Sequence, residues 1–148
     1  NPAKALPPLK LCGNYVNSIL AKREATPRGF GEALFVDDGG FVVECTGENV
    51  FMVKDGRVTA VEHGDALPGI TRDTVIQLTG ADSRPVCIEE LKAADEVFLT
   101  GTSAEIARVE AIDERVFAAS PFGDALTARY ADVVRGRAEP HRGWLTRV

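Results

Sequence analysis

The sequence predicts a domain of the α/β class, mixed in the order of its helices and strands. Helix-period patterns stand near its two ends, and short apolar runs separated by Asp-Gly and Gly-Gly turns fill the middle. At 148 residues, with 45% hydrophobic and 26% charged residues, the chain can bury a real core as one domain. No internal repeat, low-complexity tract or linker interrupts it.

Residues 1–9 are Pro-rich and expected to be extended. From Gly13 to Ala25, Tyr15, Val16, Ile19 and Leu20 share one helix face, while Lys22, Arg23 and Glu24 face water. Pro27 and Gly29 end that helix. Glu32 to Val36 and Phe41 to Cys45 flank Asp37-Asp38-Gly39-Gly40, which reads as a hairpin. Asn49 to Val53 and Val58 to Val61 flank Asp55-Gly56, the composition of a type I′ turn. Val50 to Val53 is apolar on both faces and therefore central. A short helix follows Pro68-Gly69, from about Thr71 to Thr79. Arg84 to Glu89 reads as a strand, Glu90 to Ala94 as a helical turn and Glu96 to Thr100 as an apolar strand. Arg108 to Ile112 and Arg115 to Ala118 read as a strand pair around Asp113-Glu114. Asp124 can cap a last helix with Leu126, Tyr130, Val133 and Val134 on its inner face, ended by Gly136.

Several function classes are poorly supplied. A net charge of -5 argues against a nucleic-acid partner. No apolar run is long enough for a membrane helix, and no signal-peptide pattern is present. Two histidines, His63 and His141, give little material for a metal site or a Ser-His-Asp relay. The three cysteines (Cys12, Cys45, Cys87) lack metal-ligand spacing and read as small buried hydrophobes. Free thiols suit a reducing compartment, so the expected location is cytoplasmic.

Four short stretches carry chemistry. Lys10, flanked by Leu9, Leu11 and Cys12, is either a partly desolvated amine able to form a Schiff base or a surface lysine whose stem covers apolar neighbours. Glu44 is either a buried carboxylate that needs a partner, such as a protonated pyridine nitrogen, or an exposed strand residue. Pro68-Gly69-Ile70-Thr71 is either a plain helix cap or a phosphate cradle of backbone amides, helped by the Thr71 hydroxyl and the helix dipole. Gly101-Thr102-Ser103 follows a strand and is either an ordinary loop or an anion nest. Tyr15 fits a core position or a hydrogen bond to a ligand oxygen, and Glu48-Asn49 reads as a polar anchor at a strand start.

In this order, the motifs resemble the class IV aminotransferases, the branched-chain amino acid aminotransferases above all. The resemblance runs over essentially the whole chain. It is carried by Lys10-Leu11-Cys12-Gly13-Asn14-Tyr15, by Glu44-Cys45-Thr46-Gly47-Glu48-Asn49-Val50-Phe51 and by Leu67-Pro68-Gly69-Ile70-Thr71-Arg72-Asp73. Ala94 to Phe98 with Thr100-Gly101-Thr102-Ser103-Ala104-Glu105, and Trp144-Leu145, complete it. It implies a pseudo-barrel large domain of the D-amino acid aminotransferase-like fold and pyridoxal 5′-phosphate (PLP) as cofactor. Lys10 then takes the position of the Schiff-base lysine, Glu44 that of the pyridine-nitrogen partner and Tyr15 that of the ring-hydroxyl partner. Leu67 packs on the ring. Gly69, Ile70, Thr71 and Thr102 bind the phosphate, and Thr102 and Ser103 offer amides to the substrate carboxylate. The implied reaction moves the amino group between branched-chain L-amino acids and 2-oxoglutarate.

The resemblance also sets expectations about what lies outside the chain. Family members are about twice as long, so residues 1–148 correspond to the C-terminal, PLP-binding domain, with the smaller N-terminal domain as a partner. A homodimer is implied. Three departures stand out: a short segment at Thr79 to Pro85, Gly123-Asp124 where the family often has Gly-Pro, and Ser103 where a small apolar residue is commoner. The alternatives are a D-amino acid aminotransferase or aminodeoxychorismate lyase on the same fold, or a non-catalytic fragment.

Overall fold

The structure is a computed structural model and describes residues 10–146. The extended run expected over residues 1–9 lies outside them. A turn of 3₁₀ helix at Cys12–Asn14 leads into helix α1 (Tyr15–Ala25), which ends at Thr26-Pro27, with Gly29 left-handed at φ +89°. Strands β1 (Leu34–Val36) and β2 (Val42–Cys45) form the expected hairpin. Asp37 Oδ1 closes its loop by accepting the N–H groups of Gly39 (2.9 Å) and Phe41 (2.8 Å). Strands β3 (Asn49–Lys54) and β4 (Arg57–Val61) pair through Asp55-Gly56. Both turn residues have positive φ, at 49° and 73°, as a type I′ turn requires.

Helix α2 (Ile70–Thr79), strand β5 (Asp82–Arg84), helix α3 (Ile88–Lys92) and strands β6 (Glu96–Gly101) and β7 (Glu105–Arg108) follow. The chain then forms β8 (Ala111–Ile112), β9 (Arg115–Val116) and α4 (Pro121–Val134). The main sheet has the order β5-β4-β3-β6-β7, parallel only between β4 and β5. Its central strand, β3, is the one whose residues are apolar on both sides. Val50, Met52, Val97 and Leu99 point to one cluster, with Val42, Cys45, Leu91 and Phe117. Phe51, Val53 and Phe98 point to the other, against α2 and α4 through Val75, Leu78, Leu126 and Tyr130. The paired Phe51 and Phe98 rings stack with centroids 5.0 Å apart.

The structure corrects five expectations. The face of α1 that carries Val16, Ile19 and Leu20 is turned outward, each residue more than half exposed, and Ser18 and Ala25 are buried instead. The strand expected at Arg84 to Glu89 is β5 at 82–84, because Pro85 has no N–H for a ladder; the helical turn comes two residues early, at Ile88. The Glu105 to Arg108 segment, not expected as a strand, pairs with β6, and the strand expected to begin at Arg108 is confined to Ala111–Ile112. Helix α4 starts at Pro121, so Asp124 lies inside its first turn, and Val134 is exposed rather than on the inner face. The real cap is Glu96, buried on β6, which accepts the N–H groups of Phe122 (3.1 Å) and Gly123 (3.0 Å) and the Ser120 hydroxyl (2.9 Å). Finally, of the three free cysteines only Cys45 is buried; Cys12 is exposed and Cys87 intermediate. Among the described residues no helix is long and apolar enough to cross a membrane.

Candidate functional site

At one end of the main sheet, the ends of β2 and β6, the start of β3, the start of α2 and the lead into α1 surround a cavity of about 380 Å³. Lys10, Tyr15, Glu44, Leu67, Gly69, Ile70, Thr71 and Thr102 all line it, although they come from separate stretches of sequence. Ser103 does not line it and is exposed beside Thr102.

Glu44 is 5% exposed, which removes the reading as a solvent-facing strand residue. Its Oε2 accepts the Leu67 N–H at 2.8 Å and the Asn49 side-chain amide at 3.5 Å. Asn49 also donates to the Leu67 carbonyl at 2.7 Å, so one buried amide ties the carboxylate to the loop that enters α2. That loop has no room to spare: a Cβ built on Gly69 would sit 2.3 Å from Asn49 Oδ1. Gly69 is therefore required by close approach, its φ of -68° being open to any residue.

Among the described residues no side chain caps helix α2, whose first residues, Ile70 and the buried Thr71, line the cavity. Uncapped donors plus the helix dipole favour an anion there. Arg72 does not supply the positive charge; its guanidinium turns away to the Val61 carbonyl (3.3 Å) and Ser83 Oγ (2.5 Å). Across the cavity, a Cβ on Gly101 would lie 3.1 Å from Glu48 Cγ. Lys10 is exposed, with its Nζ 5.6 Å from the centroid of the Tyr15 ring, so the flanking Leu11 and Cys12 do not desolvate it as the sequence allowed.

Several lining residues escaped sequence reasoning as site members, Asn49, Thr100 and Glu48 among them. Asn49 was legible only as a strand anchor. Thr100 is 1% exposed, and its Oγ1 has no hydrogen-bond partner among the described residues. Glu48 is held above the ordinary glutamate range, first by burial and then by the charge of Glu32 beside it. Burial also works against the Glu32 carboxylate, but the Thr46 hydroxyl, the Ala33 N–H and the Lys22 ammonium outweigh it and keep Glu32 below the ordinary range. A spacing pattern carries none of this, since Glu32 and Glu48 meet only through the β1–β2 hairpin.

The sequence profile of the amino-transferase class IV family matches residues 1–112. The chain belongs to the class IV aminotransferases. Among its relatives, a probable branched-chain-amino-acid aminotransferase of Aquifex aeolicus is 41% identical, over 94% of this chain and 48% of the relative. The branched-chain-amino-acid aminotransferase of Pseudomonas aeruginosa is 38% identical, over 92% of this chain and 47% of the relative. In three dimensions, the branched-chain amino acid aminotransferase of Thermobaculum terrenum, solved in its PLP form, superposes with a TM-score of 0.89 at 40% identity, covering 97% of this chain and 50% of the other. The enzyme of Thermoproteus uzoniensis with norvaline gives a TM-score of 0.89 at 39% identity, over 96% and 50% of the two chains. This class IV aminotransferase chain thus spans about half the length of the curated relatives it matches.

Proposed function

We propose that this chain is the PLP-binding half of a branched-chain amino acid aminotransferase. The observation that carries the reading is the single cavity that brings together an amine, a buried carboxylate and an uncapped helix N-terminus. The relatives by name, and the solved neighbours by their bound PLP and amino acid, support the same choice.

The residues fit PLP. The start of α2, with Ile70 and Thr71, would take the phosphate, with Thr102 opposite, and Gly69 and Gly101 let the α2 entry and the β6 end pack closely against Asn49 and Glu48 at the cavity wall. Glu44, fixed from behind by Leu67 and Asn49, would hold a proton on a pyridine nitrogen in place. Tyr15 and Leu67, both at the cavity wall, would bond the ring hydroxyl and pack on the ring. When bound, the cofactor supplies an electron sink for the pair left at the substrate Cα. Lys10, which lines the cavity, would hold the cofactor through its side-chain amine and would carry the proton at the substrate Cα. Amides of the Thr102-Ser103 turn hold the substrate carboxylate. Substrates are leucine, isoleucine or valine and a 2-oxo acid partner such as 2-oxoglutarate. The amino-terminal domain completes the substrate pocket, and the full enzyme is a cytoplasmic homodimer.

The test is an absorbance spectrum of the chain with PLP, before and after borohydride reduction, with mass spectrometry to locate the adduct. A phosphopyridoxyl group on Lys10, lost in Lys10→Ala, is the expected result. Label scattered over surface lysines, or an unchanged spectrum in Lys10→Ala, sinks the assignment.

A further inference from the structure

Residues 62–69 join β4 to α2 and carry Leu67, Pro68 and Gly69 to the cavity wall. Both ends of this segment are tied down. At its start the Glu62 N–H donates to the Arg84 carbonyl at 2.9 Å. Toward its end the Leu67 N–H donates to Glu44 Oε2, and the Leu67 carbonyl accepts from Asn49. Between them stands His63, which lies off the cavity and has no part in the chemistry assigned to it.

His63 bonds in two directions. Its Nδ1 accepts the Asp65 N–H at 3.1 Å, and its Nε2 lies 3.3 Å from Asp37 Oδ2. A ring nitrogen that accepts carries no proton, so neutral His63 has its proton on Nε2 and donates it to Asp37. The state of Asp37 agrees. The Phe41 N–H first, then His63 and the Gly39 N–H, hold its carboxyl below the ordinary range, so at neutral pH it is ionised and can only accept. The two side chains are 18% and 25% exposed, which keeps the bond largely out of water. The Asp65 carboxylate stands 3.8 Å from Nδ1, beyond hydrogen-bond reach. Among the described residues no group of His, Cys, Asp and Glu could hold a metal ion, so this trio acts through hydrogen bonds. The His63 carbonyl also accepts the Ala66 N–H at 3.1 Å and closes the turn that delivers Leu67.

Asp37 sits in the loop of the β1–β2 hairpin, and Glu44 lies on the second strand of that hairpin. One hairpin therefore holds the 63–67 turn at both ends, through His63 at one and Leu67 at the other. We propose that His63, bonded to Asp37 through its Nε2–H, is a positioning residue that sets the Leu67 amide on Glu44. It acts through the turn and not by touching a ligand. Without the Asp37 bond the turn hangs from Leu67, and the Leu67 side chain and the Pro68-Gly69 entry to α2 are free to shift with it. The bearing on PLP rests on the function proposed for the chain; the His63 geometry does not.

The experiment uses the full chain. Nitrogen NMR of the imidazole at neutral pH should show the His63 proton on Nε2; a proton on Nδ1 overturns the proposal. Hydrogen exchange of the Leu67 amide then reads its position without cofactor. Asp37→Asn keeps the Oδ1 acceptor for Gly39 and Phe41 and removes the acceptor for Nε2–H. His63→Ala removes both ring bonds, and His63→Gln offers a side-chain amide to Asp37 in place of Nε2–H. Asp37→Asn and His63→Ala should each speed Leu67 exchange by roughly three- to tenfold, and His63→Gln should recover most of the protection. The combined Asp37→Asn, His63→Ala chain should exchange no faster than His63→Ala, because one bond is lost twice. Should His63→Ala misfold, Asp37→Asn decides. Unchanged Leu67 exchange in Asp37→Asn overturns the proposal, and so does an Asp37→Asn effect that adds in full to that of His63→Ala. PLP affinity by fluorescence titration should fall with the Leu67 protection and return in His63→Gln. An unaltered chain that takes no PLP, yet shows the Leu67 effects, sinks the proposed function and leaves the His63 role standing.

Discussion

Glu44, Asn49 and Leu67 form one unit, and substitutions there separate support from chemistry. Glu44→Ala takes the acceptor from the Leu67 N–H and, in the proposed PLP complex, would leave the pyridine nitrogen without a charged partner. With a hydrogen bond to a charged group contributing about 1.5–3 kcal/mol, PLP affinity should fall roughly ten- to hundredfold, as read by fluorescence titration. An unchanged affinity would make Glu44 a structural strand residue. Gly69→Ala places a methyl 2.3 Å from Asn49 Oδ1. Either the Asn49 bridge or the α2 entry must shift, at about 1–3 kcal/mol of stability by urea denaturation. If Gly69→Ala unfolds at the same urea concentration as the parent, the close approach is not real.

Helices α2 and α4 solve the same problem in opposite ways. Each N-terminus leaves backbone donors unpaired. In α4 the donors meet the buried Glu96 carboxylate and the helix is closed to ligands. In α2 no side chain among the described residues caps them, and the helix start lines the cavity. Glu96→Ala should thus cost about 1–3 kcal/mol for the buried donors it strands, with the Lys10 adduct still forming in the folded fraction. Loss of the adduct at full foldedness would tie α4 to the site and contradict this division. The sequence could not show it, because Glu96 lies 24 residues from Ser120 and nothing in its own strand marks it as a cap.

At the scale of the molecule, exposure reverses a sequence reading. Leu11, Val16, Ile19 and Leu20 are 45%, 57%, 58% and 57% exposed, so the apolar face of α1 adds little to the stability of this chain. Ile19→Asp should move its unfolding free energy by no more than about 0.5 kcal/mol in urea. A larger loss would place that face inside the core. Other levels were open to a reader of the sequence. Short apolar runs between turn residues marked β2, β3, β4 and β6, Asp55-Gly56 marked its turn and the two-sided apolar run marked the central strand, because these signals are local. Lys10, Tyr15, Glu44, Leu67, Gly69, Ile70, Thr71 and Thr102 were nameable one by one from motif order and line the cavity; Glu48, Asn49 and Thr100 line it without having been named as site residues, and Ser103 was named but does not line it. By itself the sequence determined the class, the hairpins and the chemical alphabet of the site, since backbone preference and side-chain type act within a few residues. Only the tertiary structure decided that Glu44 is buried, that Glu96 caps α4, that α1 faces outward and that β7 exists as an edge strand. Each of those depends on which distant group supplies the hydrogen bond or the contact, and chain spacing does not record that.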